Sequence, residues 1–164
     1  MKPAVAEALA EQVALNAFFH GSREPLPIGA TLEARENPWR KQFQTESLVE
    51  AQRPPDMPSR TKAWFMTQDP CDVGRMGGGP FIYEVEPHDV AGPLNYDWVE
   101  RVAKVRSWDD DYEQQVQQIP TYAASYWAGA SLSDHPQLEW LAPEITVLRE
   151  ARCPGRPWGN GRSP

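Results

Sequence analysis

Apolar residues alternate with polar ones in some stretches of the chain and recur every fourth position in others, with long proline-rich polar segments between. In Phe81–Pro87, the residues Phe81, Tyr83 and Val85 fall on one face by the two-residue period, the clearest strand signal in the chain. Val5, Leu9 and Val13 recur at helical spacing in an alanine-rich stretch, so residues 3 to 15 predict a short helix covering an edge of the fold. Residues 16 to 20 predict a first strand and 62 to 67 a second, halted by Gln68-Asp69-Pro70. Residues 43 to 51 suit a helix, and 145 to 148 a last strand. Val99, Val102 and Val105 fit either a strand or a short helix between Trp98 and Trp108. Asp109-Asp110-Asp111 then suits a helix N-terminus, because aspartates favour the positive end of the helix dipole.

The remaining segments are expected to be irregular. Pro25, Pro27 and Gly29 forbid a regular helix, so 25 to 32 is expected as an extended loop pinned by Leu26, Ile28 and Leu32. Three prolines between Arg53 and Arg60 exclude regular structure there, and both arginines are expected at the solvated surface. Residues 88 to 98 are also expected as a loop. Cys71 to Gly79 has room for one helical turn, then a triple glycine expected to be a flexible, hairpin-like connection.

At 164 residues the chain suits a single domain, expected over 1 to 153 with a flexible tail over 154 to 164. Seven Trp argue for a packed core, while 17 Pro and 11 Gly argue for many turns. The formal charge of -7, with no Lys/Arg run longer than two, argues against a general grip on nucleic acid. No apolar stretch reaches the roughly 18 residues that span a bilayer, and Glu7 and Glu11 interrupt any secretory signal, so no membrane partner is expected. Cys71 and Cys153 are too few for a disulfide framework or a zinc site; both are read as incidental and the setting as reducing and cytoplasmic.

Candidate chemistry centres on Phe18-Phe19-His20-Gly21-Ser22, where a buried-strand pair runs into a polar triplet, a common way to mount a site on a rigid element. The plainer alternative is a histidine capping a strand before an ordinary turn. The glycine run at 77 to 79 lacks the Lys-Ser/Thr of a phosphate loop. The aspartate triplet lacks partner carboxylates at ligand spacing, so no metal site is expected. His88 and His135 receive no role.

FFHGS followed by Leu26, Ile28, Gly29 and Leu32 resembles the opening of ADP-ribosyltransferase domains of the histidine-tyrosine-glutamate branch, and is similar to the small bacterial rifampin ADP-ribosyltransferases. AWFMTQDP stands where that family has its second motif, FIYEVEP fits its next strand, and YWAG with LEWL resembles its third motif. The resemblance covers about residues 16 to 148. It implies an α+β fold of two packed, mostly antiparallel β-sheets forming an NAD cleft, with short flanking helices. It also implies NAD as substrate and mono-ADP-ribosyl transfer to an acceptor that is a protein, a nucleic acid or a small molecule. Antibiotic inactivation, a toxin and a phage-borne host modifier all fit.

Residue by residue, the resemblance implies that His20 bonds a hydroxyl of the adenine-side ribose. Gly21 approaches the nicotinamide carboxamide by its backbone, and Ser22 supports a ribose or phosphate. Phe65 stands at the family's tyrosine and would stack on nicotinamide, with Trp64 the candidate if the register shifts by one; core packing is the plainer role for Phe65. Glu139 would hold the nicotinamide-ribose 2'-hydroxyl and stabilise an oxocarbenium-like transition state, against the plainer role of a surface acid. Glu144 and Glu150 are alternative acids within or beyond the last strand. Gln137, two before Glu139, stands where arginine-modifying relatives carry a first acid, so arginine specificity is not implied and an acceptor role for Gln137 is open. The rivals are an RNA 2'-phosphotransferase-like enzyme, which needs several Arg and Lys at its phosphate site, and an inert module that binds NAD or ADP-ribose.

Overall fold

A computed structural model describes residues 17 to 155, so the expected helix at 3 to 15 and the tail around Trp158 lie outside the described residues. The chain is α+β, with two antiparallel sheets and few helices. Its contacts divide it into two compact units. One draws on the chain up to Leu32, on Met66–His88 and on the chain from Ile145; the other comprises Glu33–Phe65 and Asp89–Glu144.

The first unit is built on a four-stranded sheet of order β1-β4-β7-β2, where β1 is Phe18–Ser22, β2 Thr31–Glu33, β4 Phe81–His88 and β7 Glu144–Ala151. The alternation in β4 does what its period dictates: Tyr83 and Val85 are buried, and Glu86 faces out. β1 pairs antiparallel with β4, which sets His20 opposite Tyr83 and Gly21 opposite Ile82. Thr67 closes a reciprocal bridge with Phe19, with N–H to carbonyl distances of 2.8 and 2.9 Å. Hydrogen bonds hold the loop before β2, and of the apolar residues expected to pin it Leu26 and Leu32 are half-buried. The Leu26 N–H donates to the Tyr83 hydroxyl at 2.9 Å and the Gly29 N–H to the Val147 carbonyl at 2.7 Å, while Ile28 is 59% exposed. Across the sheet, His88 Nε2 bonds Thr146 Oγ1 at 2.9 Å, and that hydroxyl bonds Thr31 Oγ1 at 3.0 Å.

Two expectations for this unit need correction. Cys71 and Cys153 are not incidental: they form a disulfide across a sequence separation of 82, with Cα atoms 4.6 Å apart. Cytosolic thiols reduce such bonds, so the cysteines no longer argue for a reducing setting. The triple glycine follows the single turn of α2 (Asp72–Arg75) as expected, and Gly77 takes the left-handed backbone its φ of 78° requires. Gly78 and Gly79 are dictated by packing instead of looseness, because a Cβ on either would overlap Val73 or the Ser22–Arg23 backbone.

The second unit is built on a three-stranded sheet of order β3-β6-β5, where β3 is Trp64–Met66, β5 Ala91–Asn95 and β6 Leu138–Ala142. Its helices are α1 (Gln44–Glu50), α3 (Asp97–Lys104) and α4 (Tyr112–Trp127). Val49 of α1, Leu94 of β5, Val99 and Val102 of α3, Tyr126 and Trp127 of α4 and Leu141 of β6 form its core. Each such side chain contributes about 1.5–3 kcal/mol by leaving water. The segment around Val99 and Val102 is therefore a helix, the three-residue spacing having won. The expected loop at 88 to 98 contains β5, which pairs antiparallel with β6 and loses register between Ala91 and Leu94 around Gly92-Pro93. The helix that follows the aspartate triplet runs from Tyr112 through Pro120 to Trp127.

Candidate active site around Glu139

In β6 the alternating residues Glu139 and Leu141 are both buried, so the pleat turns a carboxylate toward the side that Leu141 packs. Glu139 is 2% exposed and sits opposite Leu94 in the β5–β6 ladder, not at the surface. A buried carboxylate must be paired, and its partner is Arg60, itself 1% exposed. This overturns the expectation that Arg60 is solvated. The proline-rich segment carries its last residue into the core because Glu46, Tyr126 and Glu139 together offer enough acceptors to replace water.

Every nitrogen of the Arg60 fork donates a hydrogen bond. Nε and Nη2 donate to the two oxygens of Glu46 at 2.8 and 3.1 Å, a bidentate pair. Nη1 donates to Glu139 Oε1 and to the Tyr126 hydroxyl, and that hydroxyl donates to Glu139 Oε1 at 2.7 Å. Glu46 also accepts from Arg40 Nη1 at 2.9 Å. One turn along α1, Glu50 Oε1 accepts the Arg60 backbone N–H at 2.6 Å. Its Oε2 accepts from Arg53 Nε at 3.0 Å and from the Ser59 hydroxyl at 3.1 Å, so Arg53 is also engaged.

Both hydrogen bonds to the Glu139 carboxylate end on Oε1. No buried polar side-chain atom among the described residues lacks a hydrogen-bond partner. The titrations follow from the same geometry. Burial pushes the Glu46 carboxyl up, but the charges and hydrogen bonds of Arg60 and Arg40 outweigh it and hold the group below its ordinary 4.5. Burial also works against the Arg60 cation, and Glu139, Tyr126 and Glu46 more than offset it. Burial, reinforced by the Glu139 charge, raises the Tyr126 phenol well above its ordinary 10.0. Tyr126 is thus a neutral hydrogen-bond donor at physiological pH.

Of the other expected site residues, His20 lies half-buried within β1. A Cβ on Gly21 would overlap the Val73 side chain and stand 3.0 Å from both Gly78 Cα and Gly79 N, so packing within the unit already requires glycine there. Ser22 Oγ accepts the Glu24 N–H at 3.2 Å, a turn contact. The Phe65 ring packs beside the second unit's core, with the Arg40 guanidinium 3.8 Å and that of Arg60 5.0 Å from its centroid. A stacking partner for Phe65 must therefore share the ring with Arg40. Trp64, its neighbour in β3, is half-buried. Gln137 uses its backbone carbonyl to accept the Tyr96 N–H at 2.8 Å. Glu144 is half-buried and Glu150 exposed.

Glu46, Arg60 and Tyr126 are the residues that sequence reasoning missed. The one available signal was Tyr126, which follows Ala123 at helical spacing and so shares its buried face. No family model, curated protein or solved structure matches the chain.

Proposed function

We propose that the chain is an NAD-dependent mono-ADP-ribosyltransferase that breaks the nicotinamide–ribose bond and passes ADP-ribose to an acceptor. The observation that carries this reading is Glu139: a buried carboxylate whose Oε1 is tied down by Arg60 and Tyr126 while Oε2 takes part in neither bond. Cleavage of NAD builds positive charge on the nicotinamide-side ribose, and a fixed carboxylate stabilises that charge more than a mobile, solvated one. In this reading Oε2 accepts the ribose 2'-hydroxyl as the leaving nicotinamide carries off the bonding electrons. Phe65 or Trp64, in the same unit as Glu139, lies against the nicotinamide.

The geometry also bears on the phosphotransferase rival, which needs free basic side chains. Arg60 and Arg53 are both committed to internal partners, Arg60 to Glu46 and Glu139 and Arg53 to Glu50 and the Met57 carbonyl. Incubation with NAD, followed by chromatography of released nicotinamide, tests the proposal. The wild-type chain is expected to release nicotinamide, and Glu139→Gln to lower kcat roughly 100- to 1,000-fold, the usual effect of removing one charge-stabilising group. NAD bound without release would assign an inert binding module instead.

A further inference from the structure

The assembly beneath Glu139 is larger than neutralising one carboxylate requires. Arg60 pairs with it directly, yet the Tyr126 hydroxyl bonds both partners as well, accepting from Arg60 Nη1 at 2.5 Å and donating to Glu139 Oε1 at 2.7 Å. Arg60 is in turn immobilised from α1, by Glu46 through its side chain and by Glu50 through its backbone N–H. Glu46 and Glu50 are one helical turn apart, so a rigid element fixes the cation and the cation fixes the acid.

We propose that Arg60 and Tyr126 are positioning residues for Glu139: by saturating Oε1 from two directions they stop the carboxylate from rotating and leave Oε2 as its one oxygen for substrate. This rests on the ADP-ribosyl transfer reading and deepens it. A carboxylate with two free oxygens would meet a ribose hydroxyl in several orientations, and a misplacement of about 1 Å costs roughly 100-fold in rate. Arg60 is shared between Glu46 and Glu139, so one cation faces two carboxylates. Neither Arg60 nor Tyr126 is assigned a contact with NAD; both act through Glu139.

A kinetic double-mutant cycle tests this. Tyr126→Phe removes one hydroxyl and keeps the buried ring, so the fold is expected to persist, which a thermal melt verifies. Nicotinamide release by Tyr126→Phe is expected to show kcat lowered roughly 10- to 100-fold with KM for NAD within about twofold of wild type. If Tyr126 works only through Glu139, the Tyr126→Phe/Glu139→Gln double variant is no slower than Glu139→Gln alone, because the acid it positions is already gone. An active wild type whose Tyr126→Phe variant keeps its kcat overturns the positioning role alone. So does a double variant in which the two losses multiply. A wild-type chain that releases no nicotinamide overturns this role together with the reading on which it rests.

Discussion

Glu46 is one turn of helix away from solvent-exposed neighbours, yet its carboxyl controls whether Arg60 remains tolerable in the core. Its folded pKa lies below the ordinary 4.5, so the folded state binds that proton less tightly than the unfolded chain does. The stability it contributes is present above about pH 4.5 and is lost as pH falls through the lower folded value. Tyr126 has the opposite sign: its phenol is raised above 10.0, so its contribution is present below pH 10.0 and is lost as pH rises through the folded value. Urea midpoints measured across pH should therefore hold a plateau between these limits and fall on both sides. A midpoint that does not decline below pH 4 would show that Glu46 is not held by Arg60. At this scale the sequence offered Glu139 as a candidate without the residues that bond it. Glu139 was singled out through the resemblance of LEWL to a family motif, but its partners stand 79 and 13 residues away, and no local pattern marks Arg60 as buried. Pairing of this kind is decided by tertiary packing, which single-residue tendencies do not encode.

Among the elements, strands with intact alternation were legible and those interrupted by proline were not. Phe81–His88 follows its two-residue period, whereas Ala91–Asn95 presents Gly92-Pro93 at its centre and so looked like a turn. The same residue type concealed the length of α4, where Pro120 sits eight residues into a helix of 16. A proline there cannot donate to the Val116 carbonyl, and its ring crowds that turn. The helix persists because Ala123, Tyr126 and Trp127 are buried in its C-terminal half, and Trp127 Nε1 also donates to the Val49 carbonyl at 2.8 Å. Pro120 itself is exposed. Pro120→Ala is therefore expected to restore a backbone hydrogen bond without losing packing, stabilising the protein by roughly 1–3 kcal/mol. Chemical denaturation measures this; an unchanged or lower midpoint would mean that the helix is adapted to the proline.

Across the whole chain, the Cys71–Cys153 bond ties residues 82 apart, joining the turn before α2 to the segment after β7. Two cysteines in a chain of this length, each beside a proline, gave no sign of pairing; only the fold brings their Cα atoms to 4.6 Å. The link has consequences for the first unit, because α2 carries Val73, the side chain that fills the space above Gly21 in β1. By closing a loop of this size the bond is expected to add on the order of 4 kcal/mol, chiefly by restricting the unfolded chain. That is a large fraction of the 5–15 kcal/mol typical of a folded domain. Reduction should then lower the urea midpoint substantially, and Cys71→Ser/Cys153→Ser should match the reduced wild type whether or not reductant is present. Equal midpoints for oxidised and reduced protein would remove the bond from the list of what holds β1 and its histidine in place.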